Sequence, residues 1–527
     1  MSSTIQKQAM KSAAPTARRV AGKTRLFHPR TLKRQFGLQA VVILLLAAVL
    51  TLESSLAFSR ASRDLETINN DSIASIDAAQ AMTQYLEDID AKAADFLATA
   101  GLGYKTSCYV AGTYSGLLLS VHDCDEHNID AEIVLANQAL YQASHNVTYP
   151  GEKTAVERIS TGMNIYLGSI QLMRTDYGLA HSKTDARDPS LQQAYQAYLT
   201  AGKVLHDQVS MATLGKTQIP QAAESDLPSC TINGTVLQPA QWAQGSLEQS
   251  LDCLSDINHT HLMQAYDDAS QFLIGTAIAM GLLFVLLCGL LIFATLRMTA
   301  LTHRLVNPGL LAACLISLIL SFNTVTLLAY LGAPGSQNNQ HSGDGAFQQM
   351  IKDDYGSIYD VTLLKRYATQ ANADKSRWLI ALEFNDQPGS QHWQADLQSN
   401  VQQIQALMRT VHANQTWDEE LQPLKTMDTT WNQYYTIDSE IQSATQRHGR
   451  TNPLLDAEEI SSWESNWAFQ SYTTALDDLS NVNRWHYSAT FEDASFSAQL
   501  YFTLNLILLP LAALLALTGL ALRFRDF

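Results

Sequence analysis

Charge is sparse in this chain, and so are the residues that break helices. Only 16% of its 527 residues are Asp, Glu, Lys or Arg, against a usual ~25%. Its 13 prolines and 26 glycines are too few for a collagen-like or low-complexity chain. No CxxC pair occurs, so the common zinc and thiol-redox patterns are missing. Nor is there a nucleophile elbow, P-loop, dinucleotide fingerprint, HExxH or paired-acid motif. No catalytic residue, cofactor site or metal site is therefore expected. A basic excess is also lacking. The net charge is -16 and the pI about 5.3, which argues against a nucleic-acid partner. Length and composition together exclude a small secreted domain, a disordered protein and a soluble globular enzyme.

What the chain does have is apolar residues gathered into runs. Mean hydropathy is an ordinary -0.07, but that average hides four stretches of the ~20 residues that a ~30 Å bilayer core requires. They are 36–58, containing VVILLLAAVL; 272–296, FLIGTAIAMGLLFVLLCGLLIFATL; 309–331, GLLAACLISLILSFNTVTLLAYL; and 500–522, LYFTLNLILLPLAALLALTGLAL. The first is expected to be an uncleaved anchor, because it exceeds a signal h-region and lacks a small-x-small cleavage site.

Basic residues orient the spans. Residues 1–35 carry Lys7, Lys11, Arg18, Arg19, Lys23, Arg25, Arg30, Lys33 and Arg34 and no acid. Loop 297–308 adds Arg297 and Arg304, and tail 523–527 adds Arg523 and Arg525 beside Asp526. The long segments 59–271 and 332–499 hold 48 of the 50 acids. Both termini are therefore expected inside a plasma membrane, with 1–35 a basic arm on anionic lipid and both long segments outside. So little chain remains inside that any output is expected to pass to a separate protein.

Of the six cysteines, Cys288 and Cys314 lie in spans, and Cys108, Cys124, Cys230 and Cys253 all fall in 59–271. An even, external set suggests disulfides. Of three pairings, Cys108–Cys124 and Cys230–Cys253 are preferred, each stapling a local irregular segment. The string HDCDEH from His122 to His127 offers metal-ligand types. A disulfide followed by acids that favour a helix N-terminus accounts for it better.

Helical periodicity fills both external segments. Leu65, Ile68, Ile76, Ala79, Leu86, Ile89, Ala93 and Phe96 recur at steps of mostly three and four. Helices are expected over about 126–146, 152–182, 188–213 and from 239, with breaks at 101–125 and 214–238 and almost no strand. In the second segment they are expected over 346–386, 390–412, 416–447 and 454–499. The fold class is thus all-α, with four transmembrane helices and two extracytoplasmic up-down bundles. Runs free of Gly and Pro should carry spans one, two and four unbroken into their external helices. Gly332, Pro334 and Gly335 should cut span three off. LEDIDAKAADFL at 86–97 and YATQANADKSRWL at 367–379 suggest a repeat of the whole unit.

Ligand-contact candidates lie in the second segment. Lys365, Arg366, Tyr367, Asp374 and Arg377 crowd one helix and could clamp a carboxylate or phosphate, or else form a solvated face of i,i+3 and i,i+4 ion pairs. Trp431 with Tyr434 and Tyr435 could line an aromatic site. Core packing is the plainer expectation for most of that segment's tryptophans, including Trp463 and Trp467 at helical spacing. Asn323, Thr326 and Asn505 suit hydrogen bonds between spans, and Ala277 with Gly281 a small-xxx-small contact. Five N-x-S/T sequons occur, at Asn70, Asn146, Asn233, Asn258 and Asn414.

The layout resembles bacterial extracytoplasmic four-helix-bundle sensors. The inner loop RMTALTHRLVNPGL (297–310), the helix YDVTLLKRYATQANADKSRWL and its first-segment counterpart are more specifically similar to the actinobacterial four-span membrane proteins of the GlnX-like type. That resemblance implies a relay from an extracytoplasmic solute-binding protein to a cytoplasmic protein kinase, and no catalysis. The expected function is a non-enzymatic sensor or relay. A homo-oligomer is compatible with it, and an envelope scaffold or a transporter accessory subunit is the alternative.

Overall fold

A computed structural model describes residues 29–99, 105–110, 113–206, 228–232, 235–238, 245–302, 307–334, 345–446 and 453–524. The basic arm up to residue 28, Arg304, Arg525 and the Asn233 sequon lie outside the described residues, as does most of the 214–238 break. Four helical stretches are long and apolar enough to cross a membrane: Arg34–Ala98, Leu247–Ala300, Pro308–Gly332 and Asp456–Leu522.

Helix α1 (Pro29–Thr67) passes through a π-helical turn, Ile68–Ile73, into α2 (Ala74–Ala98). Then come β1 (Lys105–Val110), β2 (Thr113–Ser120), α3 (Val121–His145), α4 (Glu152–Leu179) and α5 (Pro189–Leu205). After β3 (Cys230–Ile232) and β4 (Thr235–Leu237), α6 runs from Leu247 to Thr302. Helix α7 (Pro308–Gly332) stops at the expected glycine. A second π turn, Gln349–Tyr355, introduces α8 (Gly356–Glu383). Next are α9 (Gln387–Ala413), α10 (Leu421–Thr445) and α11 (Pro453–Ile460), and a third π turn leads into α12 (Asn466–Phe524). Spans one, two and four therefore do continue as helix beyond their apolar stretches, α12 doing so despite Pro510.

The strand-poor expectation needs correction. Each irregular break in the first segment contains an antiparallel hairpin, with Lys105 opposite Ser120 in one and Cys230 opposite Leu237 in the other. Cys108 in β1 is bonded to Cys124 in α3, and Cys230 in β3 to Cys253 in α6, with Cα atoms 5.6 and 5.2 Å apart. Each disulfide thus ties a hairpin too short to stand alone to a neighbouring helix. Helix α3 begins at Val121, inside the expected break, with the Ser120 hydroxyl accepting the Asp123 N–H as N-cap.

The chain divides into two compact units. Described residues within Met1–Leu50, Leu283–Ile319 and Leu508–Phe527 form the first. There Asn307 caps α7 and donates from Nδ2 to the Gly519 carbonyl at 2.7 Å. A Cβ on Gly309 would lie 2.7 Å from the Leu515 carbonyl, so these helices touch backbone to backbone.

Thr51–Leu282 and Leu320–Ile507 form the second unit, which holds two arms. The first-arm core gathers Leu86, Ile89, Ile129, Ile159, Tyr166, Met173 and Leu254, and the second-arm core Leu364, Leu397, Ile404, Met427, Trp431 and Tyr472. The two meet where α2 packs along α8. From Arg366 to Ala381 every residue of α8 is buried, charged ones included. Within the apolar stretches 309–331 and 500–522, Asn505 donates from Nδ2 to Thr324 Oγ1 at 3.0 Å, a hydrogen bond between α12 and α7.

The arms share one local device, and it makes the repeat far stronger than the α2/α8 likeness suggested. N-x-T-[YW]-x-x-E occurs at Asn146–Glu152 and again at Asn414–Glu420, and N-x-x-H at Asn258–His261 and Asn483–His486. In each arm the glutamate caps the turn. Glu152 accepts from Thr148 and Tyr149 N–H at 2.6 and 2.7 Å, and Glu420 from Thr416 and Trp417 N–H at 2.7 and 2.8 Å. The aromatic then reaches the π turn of its own arm, Tyr149 to Ser72 at 2.6 Å and Trp417 Nε1 to Asp354 at 3.0 Å. Its ring stacks on the histidine, Tyr149 on His261 and Trp417 on His486.

Candidate functional site

Burying α8 on all sides obliges its charges to find partners, since an unpaired ion in a low-dielectric interior is costly. Arg377, 2% exposed, donates from Nη2 to Glu87 and from Nε to Asp90, both at 2.6 Å, and from Nη1 to Asp374 at 2.7 Å. Glu87 and Asp90 lie on α2, so this network joins the arms. Asp90 also accepts from the Tyr198 hydroxyl at 3.1 Å, and Asp374 from Asn400 at 2.8 Å. About three turns earlier, Arg366 grips Asp252 of α6 bidentately at 2.6 and 2.9 Å and reaches Glu248 at 3.5 Å.

Beside these pairs lies a cavity of about 350 Å³. First-arm Glu87, His206, Glu248 and Asp252 line it, together with second-arm Arg366, Tyr367, Gln370, Asp374, Arg377 and Trp393. The Arg377 guanidinium sits over the Trp393 ring, 4.9 Å from its centroid. Burial pushes the Asp374 and Asp252 carboxyls up to about 7 against the pull of their arginines. At Glu248 burial acts the same way, but His206, Arg366 and Arg377 outweigh it and hold the carboxyl at about 2.

The candidates Arg366, Tyr367, Asp374 and Arg377 thus come together on one cavity wall, and the solvated-face alternative is corrected, because that face is buried. Trp431 and Tyr434 do not join them. They pack in the second-arm core, where the Trp431 and Tyr472 rings lie 5.2 Å apart and Tyr434 donates to Asn372 at 3.3 Å. Lys365 pairs with Asp477 at 2.7 Å near the surface. His122 stacks on both Phe96 and Tyr177, and Cys124 is bonded to Cys108, so HDCDEH is a stapled helix start. Trp463, Trp467 and Trp485 are 50, 55 and 65% exposed, which corrects the core-packing expectation for them. The cavity residues missed in the sequence are the first-arm ones, Glu87, His206, Glu248 and Asp252. Scattered over three helices, they carry no local pattern, and only their being acids or histidine on otherwise apolar helix faces marked them.

The chain was compared with family models, curated proteins and solved structures. None matches. The site therefore rests on its own geometry.

A second group of buried charges lies outside the cavity lining. Lys92 Nζ lies 3.5 Å from Asp95 and 3.7 Å from Asp125. Burial and the neighbouring Asp88 raise Glu132 to about 9. Lys375, fully buried, donates to Asn372 at 2.9 Å and to Ser465 at 2.5 Å, and burial lowers it to about 8.

Proposed function

We propose that this chain is a non-enzymatic sensor or signal-relay protein of a plasma membrane, with both termini inside and both arms outside. The observation that carries the reading is a polar cavity whose walls come from both arms. A small molecule held there touches α2 and α6 on one side and α8 on the other, so its binding energy depends on how the arms are set. A ligand with such differential contacts shifts a conformational equilibrium. A scaffold would need no such cavity. From the resemblance we further propose a solute-binding protein as the external partner and a protein kinase as the internal one.

Thermal melting of the purified full chain in micelles, with a chelator present, tests this against a panel of amino acids, dicarboxylates and polyamines. At a hundredfold excess over its Kd, a ligand should raise Tm by about 5 °C, and Arg366→Ala should abolish the rise. If no compound stabilises the wild type at millimolar concentration, or if the variant responds equally, the cavity is not a sensing site.

A further inference from the structure

At one end of the cavity two carboxylates and an imidazole converge. Glu87 comes from α2, Glu248 from the first turn of α6, and His206 follows the last residue of α5. One donor atom from each lies within 4.8 Å of the others. His206 Nδ1 is 3.6 Å from Glu87 Oε1 and 3.3 Å from Glu248 Oε2. Those separations match the ~3.3 Å edge of a tetrahedron with metal–ligand bonds of ~2.0–2.1 Å.

How the carboxylates are held is more telling than their proximity. Each has one oxygen occupied from the second arm and the other turned toward His206. Glu87 gives Oε2 to Arg377, and Glu248 gives Oε1 to Arg366 and Gln370. Glu87 is 0% exposed, yet its Oε1 accepts no hydrogen bond. A buried acceptor without a donor is rare and points to a missing partner. Outer groups that fix a carboxylate are the usual support of a metal ligand; here Glu248 Oε2 lies at hydrogen-bond distance from His206 Nδ1, 3.3 Å, and Glu87 Oε1 is the oxygen left open.

The structure assigns a divalent transition-metal site of the zinc class to Glu87, His206 and Glu248, with its fourth position open to the cavity. Mixed imidazole and carboxylate donors favour such an ion over calcium or magnesium, which prefer all-oxygen sets. The open position is where a ligand's own donor would complete the shell. The assignment rests on the cavity being a ligand site, but not on the chain being a sensor.

The test uses the full chain in micelles, stripped with a chelator, then dialysed against Zn²⁺ with Mg²⁺ and Ca²⁺ in excess. Bound metal is counted by mass spectrometry and affinity measured against a chromophoric chelator. One Zn²⁺ per chain is expected. Glu248→Gln and His206→Asn should each weaken it at least tenfold, with circular-dichroism melts confirming that the variants fold. Absence of stoichiometric Zn²⁺ from the wild type overturns the assignment whether or not the variants fold. Equal uptake by folded variants overturns it too, by placing the ion elsewhere. Because the melting panel is run in chelator, an organic ligand found there with no Zn²⁺ uptake would sink the metal site alone. Zn²⁺ uptake with no organic ligand stabilising either the stripped or the Zn²⁺-loaded chain would sink the sensing reading alone.

Discussion

Arg377 neutralises three carboxylates from two arms at once, and removing it leaves all three buried together. Arg377→Met keeps most of the side-chain volume and deletes the charge. Breaking a buried ion network from one side costs about 3–5 kcal/mol. Arg366→Met should cost less, because Glu248 is partly solvated. Melting of both variants in micelles checks this order, and equal losses would mean that burial of the network does not set its worth. The sequence exposed half of this site. Arg366, Tyr367, Asp374 and Arg377 fall within a few turns of one helix, and their crowding is visible in a linear reading. Glu87, Asp90, Glu248 and Asp252 answer them from more than a hundred residues away, and long-range pairing leaves no periodic trace. For the same reason an oppositely charged crowd on a helix reads equally well as a solvated face. Trp463 and Trp467 failed the other way, since helical spacing says that two residues share a face but not which way it looks.

Among the elements, helices were legible because apolar steps of three and four persist over many turns. The hairpins were not. β3 and β4 span three residues each, and the Cys108–Cys124 and Cys230–Cys253 disulfides tie the two hairpins to neighbouring helices. The π turns were also invisible, yet the first two each organise one copy of the repeated clamp. The copies differ chemically, Ser72 standing where the second arm has Asp354. Burial pushes the Asp354 carboxyl up to about 7, against the Trp417 hydrogen bond and with Asp353 and Glu420 adding to it. Its folded value lies above the ordinary 3.8, so its contribution to stability is present in full below about pH 4 and lost as pH rises through 7. The loss should be about 1–3 kcal/mol. Asp354→Asn retains an acceptor for Trp417 and cannot ionise. It should match the wild type below about pH 4 and exceed it at pH 8. Hydrogen exchange should place the difference at the α9–α10 turn, leaving the α3–α4 turn unchanged. Parallel pH dependences of the two proteins would rule Asp354 out as the source.

For the molecule as a whole, the four apolar runs marked the four long apolar helices. What they could not convey was how closely the two arms engage. The α2–α8 contact depends on charges that cancel only when both arms are folded. Duplication explains much of the plan, since N-x-T-[YW]-x-x-E and N-x-x-H recur in order in both arms. The motifs escaped notice because each is four to seven residues long and its two copies lie more than two hundred residues apart.

One glycine contact bears on how the chain can be altered. A Cβ on Gly345 would fall 2.5 Å from the Ala333 carbonyl and 2.6 Å from that of Tyr330. The chain that leaves the end of α7 therefore returns to within touching distance of where it left. When the ends of a connection are already pinned side by side, lengthening it costs only the slow logarithmic growth of loop entropy, roughly 0.6 kcal/mol per doubling. Residues 335–344 are thus a port. A folded fluorescent protein spliced between 339 and 340 should leave the melting temperature within about 3 °C of the parent. The same cargo spliced after Asn385, whose φ of 56° turns α8 sharply into α9, should prevent folding. Fluorescence-detected size exclusion would tell the two apart, and a monodisperse parent-like peak from the first fusion would give this chain a built-in lamp.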